Sequence, residues 1–490
     1  MSKRNGMSKP ISRGKRAYVV FALCATTAIA LRAQTFTTLH SFDNTDGVNP
    51  ESTPVQATNG GLYGTTPGGG ANGGGTVFII STGGTLTTLY SFCAQTACAD
   101  GSGPFPALVE ATNGDFYGTT NGGGAGNAGT VFKITQSGTL TTLYSFCSQT
   151  NCTDGANPDG ALVQATNGAL YGTTSGGGTS NDGTVFEITP SGAFTTLHSF
   201  DGTDGQAPTT GLVQATNGDF YGTTGSGGPA CAPPYLFYCG SVFRITTSGV
   251  LATIYTFCSQ GDNCADGSGP SGLIQATNGN LYGTTNIGGT SSIAAQGTVF
   301  KISPSGTLTT LHSFCYCTGG ANPDAGLVQG TDGNFYGTTE DDGANHGGTI
   351  FKITPGGMLT TLYNFCAQHG CTDGENPYAT LVQDTDGTFY GTTASGGTNG
   401  YGTVFSLSVG LGPFVKTLPT AGKLGAAVKI LGTDLTGATK VSFNGTAAVF
   451  EVVSSSLITT TLPAGATTGA VEVVVPSGPL SSNVAFRVLP

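Results

Sequence analysis

Short runs of apolar and hydroxyl-bearing residues alternate with glycine-rich turns along most of this chain. One unit of the pattern has four runs of the β type, which in the second copy are residues 107–112, 116–120, 129–135 and 140–146. These runs are rich in Val, Thr, Tyr, Phe and Leu, which suit a pleated, half-buried surface. The pattern therefore predicts four antiparallel strands in each unit.

Recurring motifs set the period of the unit. The string YGTT occurs seven times, beginning at Tyr63, Tyr117, Tyr171, Tyr221, Tyr282, Tyr336 and Tyr390. The string G-[TS]-[VI]-F also occurs seven times, and T-T-L-[HY]-[SN]-F occurs six times with a looser copy at residues 252–257. Four strands repeated seven times predict an all-β fold, a seven-bladed β-propeller of four-stranded blades.

The ends of the array predict how the ring closes. The seventh unit lacks a fourth strand, because the chain continues into residues 410–413 instead. An extra strand at residues 36–42 completes that last blade and removes the exposed edges, which gives a propeller of residues 34–409. In every unit Asn-Gly or Asp-Gly separates the first two strands, which predicts tight hairpin turns of type I′.

Two segments of the chain resemble known families. The composite LVQATNG-x-LYGTT…GG…GTVFKITPSGTLTTLYSF…DG-x-NP, from about Thr35 to Leu407, resembles the Gloeo_Verruco (GloVer) tandem repeat of exported bacterial proteins. That resemblance implies a secreted or surface location and no activity, so no catalytic residue is carried over. Residues 410–490 resemble an IPT/TIG domain through Val428–Leu435, Val441–Gly445 and Leu462–Gly465, which implies an immunoglobulin-like β-sandwich.

The N-terminus predicts export. Residues 1–16 carry six basic residues and no acids, an apolar stretch follows, and Ala33 ends a plausible cleavage site, so residues 1–33 are expected to be a signal peptide. Cleavage removes seven of the 16 basic residues, and the nine that remain face 27 acids for a net charge of −18. This balance disfavours nucleic acid as a partner, and no apolar run after the leader is long enough to span a membrane.

Cysteine spacing agrees with an oxidising compartment. Twelve of the 13 cysteines lie after the leader and fall into close pairs, which predicts disulfides. The predicted pairs are Cys93/Cys98, Cys147/Cys152, Cys231/Cys239, Cys258/Cys264, Cys315/Cys317 and Cys366/Cys371. No further ligands accompany the pairs, so no metal site is expected there.

Residues that break the repeat are the best functional candidates, because residues shared by all units are most simply architectural. Tyr235, Phe237 and Tyr238 lie between Cys231 and Cys239, where they could stack on sugar rings or anchor a protein contact. Glu340, Asp341 and Asp342 replace Ser, Asn or Gly of other units and could hold Ca²⁺, although a solvated acidic loop is the simpler interpretation. Glu110 is a weaker candidate, since it replaces a glutamine that six units share and that could bridge neighbouring blades.

The sequence favours a binding protein over an enzyme. All long loops emerge on one face of a propeller, and loops on a rigid scaffold are where binding usually resides. We expect an exported, non-enzymatic protein that contacts an extracellular glycan or protein, with no cofactor. A polysaccharide lyase or hydrolase using Glu110 or the acids at 340–342, and a purely structural envelope protein, are the alternatives.

Overall fold

The computed structural model of the chain describes residues 34–229, 231, 239–259, 264–290, 295–316 and 319–490. The predicted signal peptide, residues 1–33, lies outside this range. Strands make up nearly all of the regular structure, and the described residues include only three short 3₁₀ helices, Thr96–Cys98, Thr150–Cys152 and His369–Cys371. None of the described helices has the length and apolar character that crossing a membrane requires.

The repeated part forms propeller-like sheets of four antiparallel strands, of which the described residues contain seven. We number them as sheets 1 to 7 in chain order. Sheets 1 to 3 are β2 to β5 (Val55–Gln56, Leu62–Thr66, Thr76–Ile80, Leu86–Ser91), β6 to β9 (Val109–Glu110, Phe116–Thr120, Thr130–Ile134, Leu140–Ser145) and β10 to β13 (Val163–Gln164, Leu170–Thr174, Thr184–Ile188, Phe194–Ser199). Sheets 4 and 5 are β14 to β17 (Val213–Gln214, Phe220–Thr224, Ser241–Ile245, Leu251–Thr256) and β18 to β21 (Ser268–Gln275, Leu281–Ile287, Ala295–Ile302, Leu308–Cys315).

Sheets 6 and 7 complete the series. Sheet 6 is β22 to β25 (Val328–Gln329, Phe335–Thr339, Thr349–Ile353, Leu359–Asn364), and sheet 7 is β26 to β28 (Val382–Gln383, Phe389–Thr393, Thr403–Ser408) together with β1 (Thr35–Ser41). β1 pairs antiparallel with β28, with Thr35 opposite Ser408 and Ser41 opposite Thr403. This is the pairing that the missing fourth strand of the seventh unit predicts.

Two local predictions were wrong. The first strand of sheet 2 is only Val109–Glu110, because only these two residues pair with β7, opposite Tyr117 and Phe116. The turn after β2 is also not of type I′, since that type needs positive φ at both central residues. Here Gly60 N–H donates to Ala57 at 2.9 Å and only Gly60 has positive φ (84°), as in a three-residue hairpin loop with a left-handed glycine.

Neighbouring sheets pack through the YGTT motif. The Tyr63 ring stacks on Phe116 of the next sheet with centroids 4.1 Å apart. A Cβ at Gly64 would lie 2.4 Å from the Phe78 ring, so this position excludes any side chain. The motif residues are therefore fixed by packing, which explains why they recur in every unit.

A ring of threonine hydrogen bonds joins the sheets near their inner ends. Thr65 donates through Oγ1 to the carbonyl of Pro106 in the segment before sheet 2, at 3.2 Å. The same bond, at 2.7–3.3 Å, links Thr119 to Pro158, Thr173 to Thr210, Thr223 to Ser271, Thr284 to Ala325, Thr338 to Ala379 and Thr392 to Ser52. The last of these bonds returns from sheet 7 to the segment before sheet 1.

The C-terminal part has its own sheets and its own core. One sheet has the order β29-β31-β35-β34, a second β33-β32-β36-β37, and β30 pairs with β38. Their bounds are Lys416–Leu418, Ala421–Gly422, Ala427–Leu431, Lys440–Phe443, Thr446–Ala448, Phe450–Val452, Leu457–Thr461, Val471–Val475, Gly478–Ser481 and Arg487–Val488 for β29 to β38. Val428, Ile430, Phe443, Ile458 and Val473 lie in its buried core, so this part folds around apolar residues of its own.

The disulfides confirm most of the predicted cysteine pairs. Bonds join Cys93 to Cys98, Cys147 to Cys152, Cys231 to Cys239, Cys258 to Cys264 and Cys366 to Cys371. Cys317 lies outside the described residues, so the pair with Cys315 stays a prediction. Several local disulfides are typical of an exported protein.

Candidate functional site

The antiparallel strands give each sheet two different ends. Tight turns, such as residues 57–61 and 81–85 of sheet 1, emerge at one end, which we call the turn face. Longer segments, such as residues 67–75 and 92–108, emerge at the other end, which we call the loop face and which carries the disulfides. The connections on the two faces therefore differ in length and in residue composition, and several of those on the loop face are cross-linked by disulfides.

On the turn face, one polar residue from each sheet bridges to the preceding sheet. Gln164 accepts a hydrogen bond from the backbone N–H of Thr112 at 2.9 Å. Gln214, Gln275, Gln329 and Gln383 accept the equivalent bonds from Thr166, Thr216, Thr277 and Thr331 at 2.8–3.1 Å. Glu110 occupies the same position and accepts from the N–H of Thr58 at 2.8 Å. Glu110 is thus placed as a bridge between sheets 1 and 2.

The seventh bridge, between sheets 7 and 1, is different because a residue of the C-terminal part takes part in it. Gln56 donates through Nε2 to Thr385 Oγ1 at 2.8 Å, and its Oε1 accepts from Lys416 Nζ at 3.0 Å. Lys416 also donates to the backbone carbonyl of Gln383. Enclosure of the ammonium group lowers the pKa of Lys416 to about 8, and burial raises the pKa of the nearby Asp384 to about 6. A lysine of the C-terminal part therefore sits where sheets 7 and 1 meet.

The C-terminal part covers several sheets of the turn face at once. Ser456 donates to the carbonyl of Thr58 at 3.4 Å, and Thr433 and Thr385 share a hydroxyl hydrogen bond of 2.9 Å. Arg487 donates to the carbonyl of Ala215 at 3.2 Å. These contacts reach sheets 1 and 7 and also sheet 4, three sheets away along the series, so the C-terminal part occupies part of this face.

The loop face instead contains a cavity of about 730 Å³. Its wall takes residues from the segments that precede the first strand in six sheets and from β18, the first strand itself, in sheet 5. In all seven units a proline packs against the preceding unit, and the residue after that proline varies: Glu51, Phe105, Asp159, Thr209, Ser271, Asp324 and Tyr378. The repeat thus supplies a fixed frame around a wall whose side chains differ from sheet to sheet.

Two aromatic rings in this wall are open to solvent. Phe105 is 39% exposed and Tyr378 is 37% exposed, whereas the tyrosines of the YGTT motif are almost fully buried. Exposed aromatic faces give a large contact area for the flat apolar face of a ligand. The cavity therefore combines apolar surface with the polar groups described next.

Two carboxyl–amide pairs contribute to the wall. Asn121 donates a hydrogen bond to Asp159, and Asn286 donates to Asp324. Glu340, at the end of β23, interacts with both Asp324 and the Tyr378 hydroxyl. Asp324, Glu340 and Tyr378 thus form one connected polar cluster beside an exposed ring.

Burial controls the acidity of this cluster. It raises the pKa of Glu340 to about 7, and the hydrogen bond and charge of Asp324 act in the same direction. Burial also raises the pKa of Asp324, Asp159 and Glu51, and the charge of Glu340 adds to the effect at Glu51. Of these groups Glu340, beside the cavity, therefore exchanges its proton near neutral pH.

The three acids of the predicted Ca²⁺ site have different contacts, and Ca²⁺ binding there stays a prediction. Glu340 interacts with Asp324 and Tyr378, whereas Asp342 Oδ1 lies 3.0 Å from His346 Nδ1. Burial and the charges of Glu340 and Asp342 raise the pKa of Asp341. Within the described part of the chain, three potential ligand atoms converge only at Cys366, Cys371 and Glu375. The first two of these residues are joined in a disulfide and have no thiolate to offer, so this group does not fit a metal.

The other predicted site residues have different outcomes. Glu110 lies on the turn face, away from the cavity, because it bridges two sheets there. Tyr235, Phe237 and Tyr238 lie outside the described residues, and their role stays a prediction. Phe105, Tyr378, Glu51, Asp159 and Asp324 were missed, although the variable position after a repeated proline is a signal that the sequence contains.

The fold and the cavity define an all-β protein of repeated, propeller-like blades. The chain matches the Gleo_Verruco family, the Gloeobacter/Verrucomicrobia repeat, over residues 23–233 and 235–452, and it belongs to this family. Among curated proteins none matches the chain. The family match thus identifies the repeat, whereas the solved structures described next concern the fold.

Two solved structures resemble the chain over most of its length. A fungal alcohol oxidase of the AA5 family, in complex with copper, is 12% identical with a TM-score of 0.52, covering 93% of this chain and 99% of that one. The extracellular domain of a candidate hybrid two-component system from B. thetaiotaomicron is 12% identical with a TM-score of 0.50, covering 92% of this chain and 54% of that one. At this identity the likeness concerns the fold alone.

Proposed function

We propose that this chain is an exported, non-enzymatic binding protein that holds an extracellular glycan in the loop-face cavity. The observation that carries the proposal is the cavity wall, where two exposed aromatic rings stand beside carboxyl–amide pairs. Sugar rings present an apolar face that stacks on aromatic side chains, and their hydroxyls bond to carboxylates and amides. A concave site of this volume suits a segment of a glycan better than a flat protein surface.

The proposed architecture supports this arrangement. We take residues 34–409 as a closed seven-bladed propeller, since the threonine hydrogen bonds run from sheet to sheet and return to the first. We take residues 410–490 as an immunoglobulin-like domain of the IPT/TIG type, supported by two four-stranded sheets around one core. Residues 1–33 act as the signal peptide that directs export to the cell surface or beyond.

A glycan screen on the disulfide-intact protein tests the proposal. We expect saturable binding that Phe105→Ala and Tyr378→Ala each weaken about tenfold, the effect of one lost stacking contact. Tyr401→Ala is the matched control, because Tyr401 is 39% exposed near the loop face and does not line the cavity. Binding that survives both cavity variants, or no glycan binding at all, contradicts the proposal and directs the search to protein partners.

One observation favours an enzyme as the second candidate. Asp324 and Glu340 interact directly, and Glu340 has a pKa of about 7, the range that suits a general acid. A polysaccharide hydrolase or lyase would then use Glu340 to protonate the leaving group. Release of reducing ends from a bound polysaccharide that Glu340→Gln abolishes would establish this candidate, whereas binding without turnover excludes it for that polysaccharide.

A further inference from the structure

We infer that the glycan recognised by the loop-face cavity carries a free, protonated amino group, as an unacetylated amino sugar does. The inference rests on the proposed function and names the substrate class of the same site. It is carried by three features of the cavity wall: its charge, the order of its aromatic residues and one carboxylate without a partner.

The charge of the wall is of one sign. The carboxyl groups of Glu51, Asp159 and Asp324 line the cavity, with Glu340 beside them, while no Lys or Arg occurs among the described lining residues. Burying half of a carboxylate with no positive charge nearby costs desolvation free energy. A bound cation offsets this cost. The same field repels uronates and sulfated sugars.

The order of the wall residues suits an ammonium group. Tyr378, Glu51 and Phe105 occupy the same repeat position, directly after Pro377, Pro50 and Pro104, in the segments of sheets 7, 1 and 2. Because these sheets follow one another, the carboxylate lies between two exposed aromatic residues. Aromatic faces attract ammonium groups, and the carboxylate accepts their hydrogen bonds, so this combination favours an amine over a neutral hydroxyl.

Glu51 differs from the other wall carboxylates in its hydrogen bonding. Asp159 and Asp324 each accept from an asparagine, whereas no described residue donates to the carboxylate of Glu51. Its pKa is raised only by burial and by the negative charge of Glu340, with no donor acting in the opposite direction. Glu51 is therefore the wall group that a donor on the ligand satisfies.

Calorimetry with two tetrasaccharides of glucosamine, one with free amines and one fully N-acetylated, tests the inference on the disulfide-intact chain. We expect the free-amine tetramer to bind about tenfold more tightly and to lose this advantage in Glu51→Gln, since an amide cannot neutralise the amine. Glu451→Gln, an exposed acid of the C-terminal part, is the matched control and should leave both affinities unchanged. Thermal unfolding of each variant verifies that it is folded.

The outcomes separate the inference from the proposed function. Equal affinity for the two tetramers, or tighter binding of the acetylated one, with loss of binding in Phe105→Ala overturns the amine inference and leaves the glycan site intact. A free-amine preference that Glu51→Gln does not reduce also overturns it. Absence of binding by either tetramer overturns the inference, and absence of any hit in the wider glycan screen overturns the proposed function as well.

Discussion

The two faces of the repeated sheets are built from the same units. They differ in how closely the side chains at equivalent positions match from unit to unit. On the turn face, the residues that bridge the sheets are six glutamines and one glutamate, and all seven bind a neighbouring unit or the C-terminal part. On the loop face, the residue after the repeated proline changes from Glu to Phe, Asp, Thr, Ser or Tyr. Side chains that hold the sheets together are repeated, whereas side chains that are free to meet a ligand vary.

This difference supports placing the proposed ligand site in the loop-face cavity. A residue that has a partner inside the molecule is constrained in every repeat unit, because substituting it leaves a buried polar group without a partner or leaves a void. The position after the repeated proline in the wall of the loop-face cavity differs from unit to unit, so single units can acquire their own chemistry there. The predictions below test this division, from the largest expected effect to the smallest.

Removing residues 34–42 should abolish folding of the repeated part. The deletion leaves β28 as an exposed edge and removes Phe42, which is fully buried against Phe78. The single change Phe42→Ala should cost about 3–5 kcal/mol, while Thr37→Ala on the exposed side of β1 should cost less than about 0.5 kcal/mol. Chemical unfolding measures both, and a deletion variant that retains a cooperative transition would contradict the closure by β1.

Lys416→Met should destabilise the turn face. The change removes the donor to Gln56 Oε1 and to the Gln383 carbonyl and leaves Asp384 without its nearby positive charge. We expect a loss of about 1–3 kcal/mol in the free energy of unfolding, and no change for the exposed Lys423→Met. Equal stability of the two variants would mean that the C-terminal part does not secure the junction of sheets 7 and 1.

Glu110→Gln and Glu110→Ala distinguish a bridge from a binding residue. Glutamine is what the other sheets use, so Glu110→Gln should change stability by less than about 0.5 kcal/mol, whereas Glu110→Ala should cost about 1–3 kcal/mol because Thr58 N–H loses its acceptor. Glycan affinity should be the same in both variants. A fall in affinity without a fall in stability would return Glu110 to the list of site residues.

The dependence of stability on pH should reveal the raised pKa of Glu340 in the acidic cluster of the loop face. The folded-state pKa of Glu340 is raised to about 7, so its proton stabilises the folded state most below about pH 4.5, and this contribution is lost as the pH rises to about 7. Glu340→Gln should therefore flatten part of the decline in melting temperature between pH 4.5 and 7. An unchanged pH profile in this variant would show that Glu340 titrates normally.

The sequence predicts the repeat, the four strands per unit and the pairing of β1 with the last sheet, because period and turn spacing constrain the backbone directly. It does not predict that the first strand of sheet 2 is only Val109–Glu110, since the apolar run does not show which of its residues find a partner in β7. Nor does it place Glu340 beside Asp324 and Tyr378, because those contacts join segments that are distant in the sequence. Phe105 and Glu51 become visible as candidates only once the cavity shows which variable positions share a wall.

The most direct test of the account is a crystal structure of the disulfide-intact protein with the glycan that binds most tightly. The account predicts sugar density in the loop-face cavity, with a ring stacked on Phe105 or Tyr378 and a donor within hydrogen-bonding distance of Glu51. Density on the turn face or on the C-terminal part, with the cavity empty, would contradict it.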